Sequence, residues 1–138
     1  PMADPKSAAH SATGNFPAVR MRRNRRASWA RRMVAETTLS PSDLIWPMFV
    51  IDGENQAADI PSMPGVQRLT IDRIVAAARE ARDLGIPAIA LFTNTAPAMR
   101  TADAEEAYKP DNPVCRATRT VKDAGLDIGV ILDVALDP

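Results

Sequence analysis

Two spacings of apolar residues divide the chain. Residues 44–52 (L-I-W-P-M-F-V-I-D), 87–92 (P-A-I-A-L-F) and 128–138 (I-G-V-I-L-D-V-A-L-D-P) are short, nearly unbroken apolar runs. Runs of that length predict strands buried on both faces. Between them apolar residues recur every three or four positions, at Ile71, Ile74, Val75 and Ala78 and again at Val114, Ala117, Val121 and Ala124. That is the spacing of a helix with one apolar stripe. Thr70 has the chemistry to cap the first helix, with Asp72 in its first turn and Gly85 closing it. Asp111 or Asn112 caps the second, with Pro113 at its first position and Gly125 at its end. Strand–helix–strand returns this short imply parallel pairing through right-handed crossovers.

The stretches between are less regular. Ser40-Pro41-Ser42-Asp43 starts like a helix but has room for one turn before the first strand. Pro47 lacks an N–H, which marks a strand start, a bulge or an imperfectly paired position. Residues 53–64 read as a polar loop, with a turn at Pro64-Gly65. Residues 93–109 form a polar loop longer than an ordinary βα connection, hence functional or mobile. Its acids Asp103, Glu105 and Glu106 read as a solvated face. Ser28 is placed to cap a short helix through Glu36, with Trp29, Met33 and Val34 on one side. Residues 1–19 are small, polar and proline-bearing without a period, the make-up of a disordered leader.

Composition narrows the classes. With 138 residues, 46% of them apolar and 25% charged, the chain has the size and greasiness of one globular domain. Its formal net charge is zero, so the whole has no electrostatic pull towards nucleic acid or an anionic membrane. Residues 20–32 (R-M-R-R-N-R-R-A-S-W-A-R-R) nevertheless hold seven of fourteen arginines. They form either a nucleic-acid or phosphate patch with only Trp29 to stack on bases, or a solvated arm. Such an arm would pair with carboxylates of its own or a neighbouring subunit, and the neutral total favours it. One cysteine, Cys115, excludes an internal disulfide framework, and one histidine, His10, leaves no Cys/His zinc site within a chain. Cys115 lies beside the apolar stripe of its helix, with nothing but Arg116 adjacent to activate it, and reads as a small half-buried thiol. No apolar run approaches about 20 residues and no secretory signal is present, which predicts a soluble cytoplasmic protein.

The candidate chemistry lies in the last strand. Ile128, Val130, Leu132, Val134 and Leu136 share one wholly apolar face, and Gly129, Ile131, Asp133, Ala135 and Asp137 share the other. Acids late on one face of a buried parallel strand belong at the ligand-facing end of an α/β sheet or barrel. Asp133 and Asp137 are roughly 13 Å apart along an extended chain, too far for a close carboxylate dyad. Periodicity alone leaves Asp133 equally a catalytic acid or one bonded to a neighbouring loop. Phe92 and Thr93 end the preceding strand at the same end. A closed (β/α)8 barrel needs roughly 200 or more residues. Three strands are therefore either a small open-sheet binding domain or the first part of a larger barrel.

Six motifs in order decide between these: R-M-R-R-N-R-R, L-S-P-S-D-L-I-W-P-M-F-V, I-P-S-M-P-G-V-Q-R-L, G-I-P-A-I-A-L-F, E-A-Y-K-P-D-N and D-V-A-L-D-P. Over residues 17–138 the chain resembles the porphobilinogen synthase (5-aminolevulinate dehydratase) family. The resemblance implies a TIM barrel, of which residues 40–138 hold the first three βα units and are incomplete alone. It also implies that residues 20–39 form an arm. There Arg20, Arg22, Arg23, Arg25 and Arg26 meet a neighbouring subunit of a homo-octamer or related assembly, with no role for nucleic acid or membrane. The implied reaction joins two 5-aminolevulinate molecules into porphobilinogen, for haem and other tetrapyrroles, with Asp133 as the catalytic acid. Phe92, Thr93 and Asp137 are implied at the pocket or its rim.

Two departures follow from the same comparison. Zinc-dependent members carry cysteines where this chain has Ala135 and Asp137, so it resembles the zinc-free, aspartate-type branch. Oxygen ligands suit magnesium or another hard cation, a monovalent one included, with Asp137 as the candidate ligand. The family's Schiff-base lysines lie on later strands, whereas the lysines here are Lys6, Lys109 and Lys122, in a tail, a loop and a helix. None is at a strand end where a desolvated amine would attack a ketone, so the piece by itself is expected to be inactive.

Overall fold

Alternation decides which face of each strand meets helices. In β1 (Ile45–Ile51) Met48 and Val50 are buried while Ile45 and Pro47 are exposed. In β4 (Ala88–Thr93) Ile89 and Leu91 are buried and Phe92 is exposed. The buried rows pack with Ile74, Ala78 and Ala81 of helix α2 (Ile71–Asp83) and with Ala117 and Val121 of helix α3 (Pro113–Asp123). These stripes are the two expected from helical spacing, and Val75, Val114 and Val130 pack half-buried around them. The computed structural model describes residue 14, residues 17–20 and residues 22–135. Two compact units divide at residues 38 and 39. In the first, the described helix is α1 (Ser28–Met33).

In the second unit, β1, β4 and β5 (Gly129–Leu132) are parallel neighbours, as the short returns require. Two further strands extend the sheet, β2 (Ala57–Asp59) and β3 (Gln67–Thr70), giving the order β2-β3-β1-β4-β5. The expected polar loop is thus partly a hairpin. β2 runs antiparallel to β3, and β3 adds in parallel to Phe49–Ile51 of β1. Both strands are too short, and β2 too exposed, to show a period of two. Pro47 sits inside β1 opposite Ala90 of β4, in the part of the strand that β3 does not reach. Its missing N–H is therefore tolerated.

Other ends also differ from expectation. β5 stops at Leu132 instead of running to residue 138, and Val134 is fully exposed. Its only partner among the described residues is β4, whose pairing with it ends at Leu91↔Leu132. Helix α1 ends at Met33, short of Glu36, and its N-cap position is Ala27, which offers no capping side chain. Residues 1–13, most of the expected leader, lie outside the described residues, as does Asp137. The helix C-termini are as expected: Gly85 and Gly125 adopt φ of 81° and 63°, the left-handed closure that glycine enters at no steric cost.

Thr70 occupies the N-cap of α2, but its hydroxyl does not cap the helix. It accepts from the Gln56 N–H at 3.0 Å and shares its one proton between the Gln56 carbonyl, 3.2 Å away, and the Asp72 carboxylate, tying the β1–β2 turn down. Beside it, Thr70's side chain and the Asn55 N–H hold the Asp72 carboxyl below its ordinary value. At the one-turn helix Pro41–Asp43, the Ser40 N–H and then its hydroxyl do the same to Asp43. A carboxyl whose value is lower folded than unfolded stabilises the fold above the unfolded value, about 3.9. That contribution disappears as pH falls through the folded value. Thermal unfolding followed across pH should show a flat midpoint from 7 to about 5 and a decline below about 4. Asp72→Asn should flatten part of that decline; an unchanged curve would show that the carboxyl contributes nothing.

Candidate active-site cleft

On the sheet face away from the helices, the register brings three side chains into one row. Phe49 pairs with Phe92, their ring centroids 5.9 Å apart, and Asp133 follows the last β4–β5 pair, in line with Phe92. All three line a cleft of about 310 Å³ at the C-terminal ends of the parallel strands. That end is where open and closed α/β sheets bind ligands. Asp133 is exposed, and the hydrogen bonds among the described residues leave its carboxylate uncommitted.

The opposite wall comes from the long connection between β4 and α3, which is ordered by specific bonds. Asn112 is buried and caps α3 by accepting from the Cys115 N–H at 2.8 Å. Its amide donates to the carbonyls of Glu106 and Ala107 at 3.3 and 3.2 Å. One side chain thereby fixes both the helix start and the one-turn helix Glu105–Tyr108. Arg100 anchors the first part of the connection by donating to the Thr95 carbonyl at 3.0 Å. Arg116 ties its last part to β1 by bonding the Asp111 carbonyl and pairing with Asp52. Glu106 is buried in the cleft wall and accepts from Lys109 Nζ at 2.8 Å. The bond to Glu106 raises Lys109 above the usual lysine range.

Of the residues singled out from sequence, the structure brings Asp133, Phe92 and Thr93 into the one cleft. Asp137 lies outside the described residues, so its rim or metal role has no placement. The arginines Arg22, Arg23, Arg25 and Arg26 are exposed in the first compact unit, as is Arg20. Sequence reasoning missed Phe49, Thr95 and Glu106, which also line the cleft. Glu106 corrects the reading of an acid cluster on a solvated face: Asp103 and Glu105 are exposed, but Glu106 is not. The available signal was Lys109 three residues on, the spacing of a local ion pair. Among the described residues no three His, Cys, Asp or Glu side chains converge.

The family model described as delta-aminolevulinic acid dehydratase matches residues 18–138. Delta-aminolevulinic acid dehydratase of Bradyrhizobium diazoefficiens is 54% identical over 88% of the chain, and that of Synechocystis is 46% identical over 88%. The crystal structure of the Toxoplasma gondii enzyme (porphobilinogen synthase), in complex with its reaction product porphobilinogen, superposes with a TM-score of 0.75 at 42% identity over 87% of the chain. The chain spans about a third of the length of these relatives, between 34% and 36%. No described helix is long and apolar enough to cross a membrane. With the match running through both the strands and the cleft-lining segments, the chain belongs to the delta-aminolevulinic acid dehydratase family.

Proposed function

We propose that the chain supplies one wall of a porphobilinogen synthase active site, at the mouth of a (β/α)8 barrel whose first three parallel strands are β1, β4 and β5. The observation that supports this best is the row Phe49, Phe92 and Asp133 on the sheet face opposite the one against which α2 and α3 bury their apolar stripes. A parallel sheet is stable with both faces covered, and five further strands closing the barrel would cover this one. The proposed enzyme is cytoplasmic. The arm arginines Arg20, Arg22, Arg23, Arg25 and Arg26 serve assembly into a homo-octamer or related homo-oligomer.

The reaction joins two 5-aminolevulinate molecules and expels water, so cationic imine and ammonium groups need a nearby anion that also accepts and returns protons. Asp133 fills that role from the cleft floor. Phe49 and Phe92 exclude water on its sheet side, strengthening each charge interaction within the cleft. The attacking amine comes from outside these residues. Lys109 is held protonated by Glu106, and Lys122 stands exposed on α3. Ala135 lines the cleft at the position of a cysteine in zinc-dependent members. Any cation held there would be a hard one, magnesium or a monovalent ion.

The test is a full-length chimaera in which this chain replaces the matching third of the Bradyrhizobium enzyme. Porphobilinogen should form from 5-aminolevulinate, while the 138-residue chain alone forms none. A folded chimaera that fails to make porphobilinogen, or turnover by the chain alone, would overturn the proposal.

A further inference from the structure

The described lining of the cleft carries two carboxylates, Glu106 and Asp133, and no cationic side chain. Such a wall suits the ammonium end of an amino acid, and its carboxylate end must be met by groups elsewhere. Asp133 is exposed at the floor, but Glu106 is buried, with its side chain 11% accessible. Burying an ionised carboxylate is costly unless a cation accompanies it. The structure shows what kind of cation this one takes. Lys109 Nζ, a primary alkylammonium, lies 2.8 Å from Glu106 Oε2 on a side chain that is itself half exposed. A side chain anchored so near solvent can swing out with little loss of packing. The 5-aminolevulinate amine is the same functional group, on a shorter carbon chain.

We propose that Glu106 is a substrate-binding residue that takes the ammonium group of 5-aminolevulinate, with Lys109 as its stand-in when the cleft is empty. The inference rests on the porphobilinogen synthase reading of the same cleft. Its geometry depends on Asn112, which holds the main chain of residues 106 and 107 against the start of α3. Lys109 is then a competitor for the carboxylate and contributes nothing to the bound state.

The test compares two ligands in the full-length chimaera: 5-aminolevulinate, and levulinate, the same keto acid without the amine. Glu106→Gln keeps the shape of the side chain and removes its charge. It should raise KM for 5-aminolevulinate about tenfold or more, the loss of one charge-assisted hydrogen bond. Inhibition by levulinate should stay within about twofold, since that ligand makes no such bond. Lys109→Met should leave KM for 5-aminolevulinate unchanged or lower it. Equal weakening of both ligands by Glu106→Gln, or a rise in KM with Lys109→Met matching that of Glu106→Gln, would make the pair merely structural and overturn the inference. An unsubstituted enzyme that binds neither keto acid would instead overturn the reading of the cleft on which the inference stands.

Discussion

Asp133→Asn in the full-length chimaera should lower porphobilinogen formation by about 10²- to 10⁴-fold, the range for loss of a positioned proton-transfer group. The substitution keeps size and shape but removes the charge and the basic lone pairs. Asp133 lies one residue beyond the end of β5, exposed, and it makes none of the hydrogen bonds among the described residues. In the 138-residue chain, where the residue is exposed, the substitution should therefore change stability by no more than a surface substitution does, within about 0.5 kcal/mol. Activity measured alongside a thermal melt separates the two effects. Full activity in Asp133→Asn would remove the residue from the chemistry. Lost activity with a large drop in melting temperature would make it a structural acid.

The largest effect on stability should come from the centre of the sheet. Ile89 is fully buried on β4, between β1 and β5, and faces the helices with Met48, Val50 and Leu91. Ile89→Ala removes three carbons from a site closed by strands on both sides and by helices above. Neighbouring side chains have little freedom to fill the space. A loss of about 2–5 kcal/mol is expected, read as a shift of the denaturant midpoint with an unchanged slope. Phe92→Ala on the opposite, uncovered face of the same strand offers the contrast, because Phe92 is 39% exposed. In the isolated chain it should cost less than Ile89→Ala. A smaller loss for Ile89→Ala would place the core elsewhere.

The two helices and three parallel strands were legible because each has one dominant signal. Ile74 and Ala78, or Ala117 and Val121, repeat at helical spacing, and Pro113 and Gly125 punctuate the ends. β2 and β3 were not legible. Three or four residues give no period, and their strand state depends on the free edge of β1, a tertiary fact. The end of β5 failed for a related reason: Val134 has strand propensity but no partner strand, and propensity without a ladder does not make a strand. In the cleft, Asp133, Phe92 and Thr93 could be placed because a parallel strand's C-terminal end has a known orientation. Glu106 was missed because its burial arises from Asn112 gathering the connection onto α3. An acid next to exposed Glu105 and three positions from exposed Asp103 looks as solvated as they are, and its one local signal, Lys109 three residues on, also fits a surface ion pair. Phe49 was missed because its row with Phe92 requires the register, which neither strand shows alone.

The uncovered face of the sheet is the feature on which the barrel reading depends. It carries Ile45, Phe49, Ala90, Phe92 and Ile131, and Ile131 is 44% exposed there. Substituting Cys115→Ser leaves no thiol in the 138-residue chain, so Ile131→Cys in that background gives one probe on the face itself, followed in both proteins by the mass of its own peptide. Its rate of alkylation should approach that of a free thiol in the 138-residue chain and fall at least about tenfold in the full-length chimaera, where closing strands would exclude reagent. Equal rates in the two proteins would mean that the face stays open in the whole enzyme, and β1, β4 and β5 would not be staves of a closed barrel.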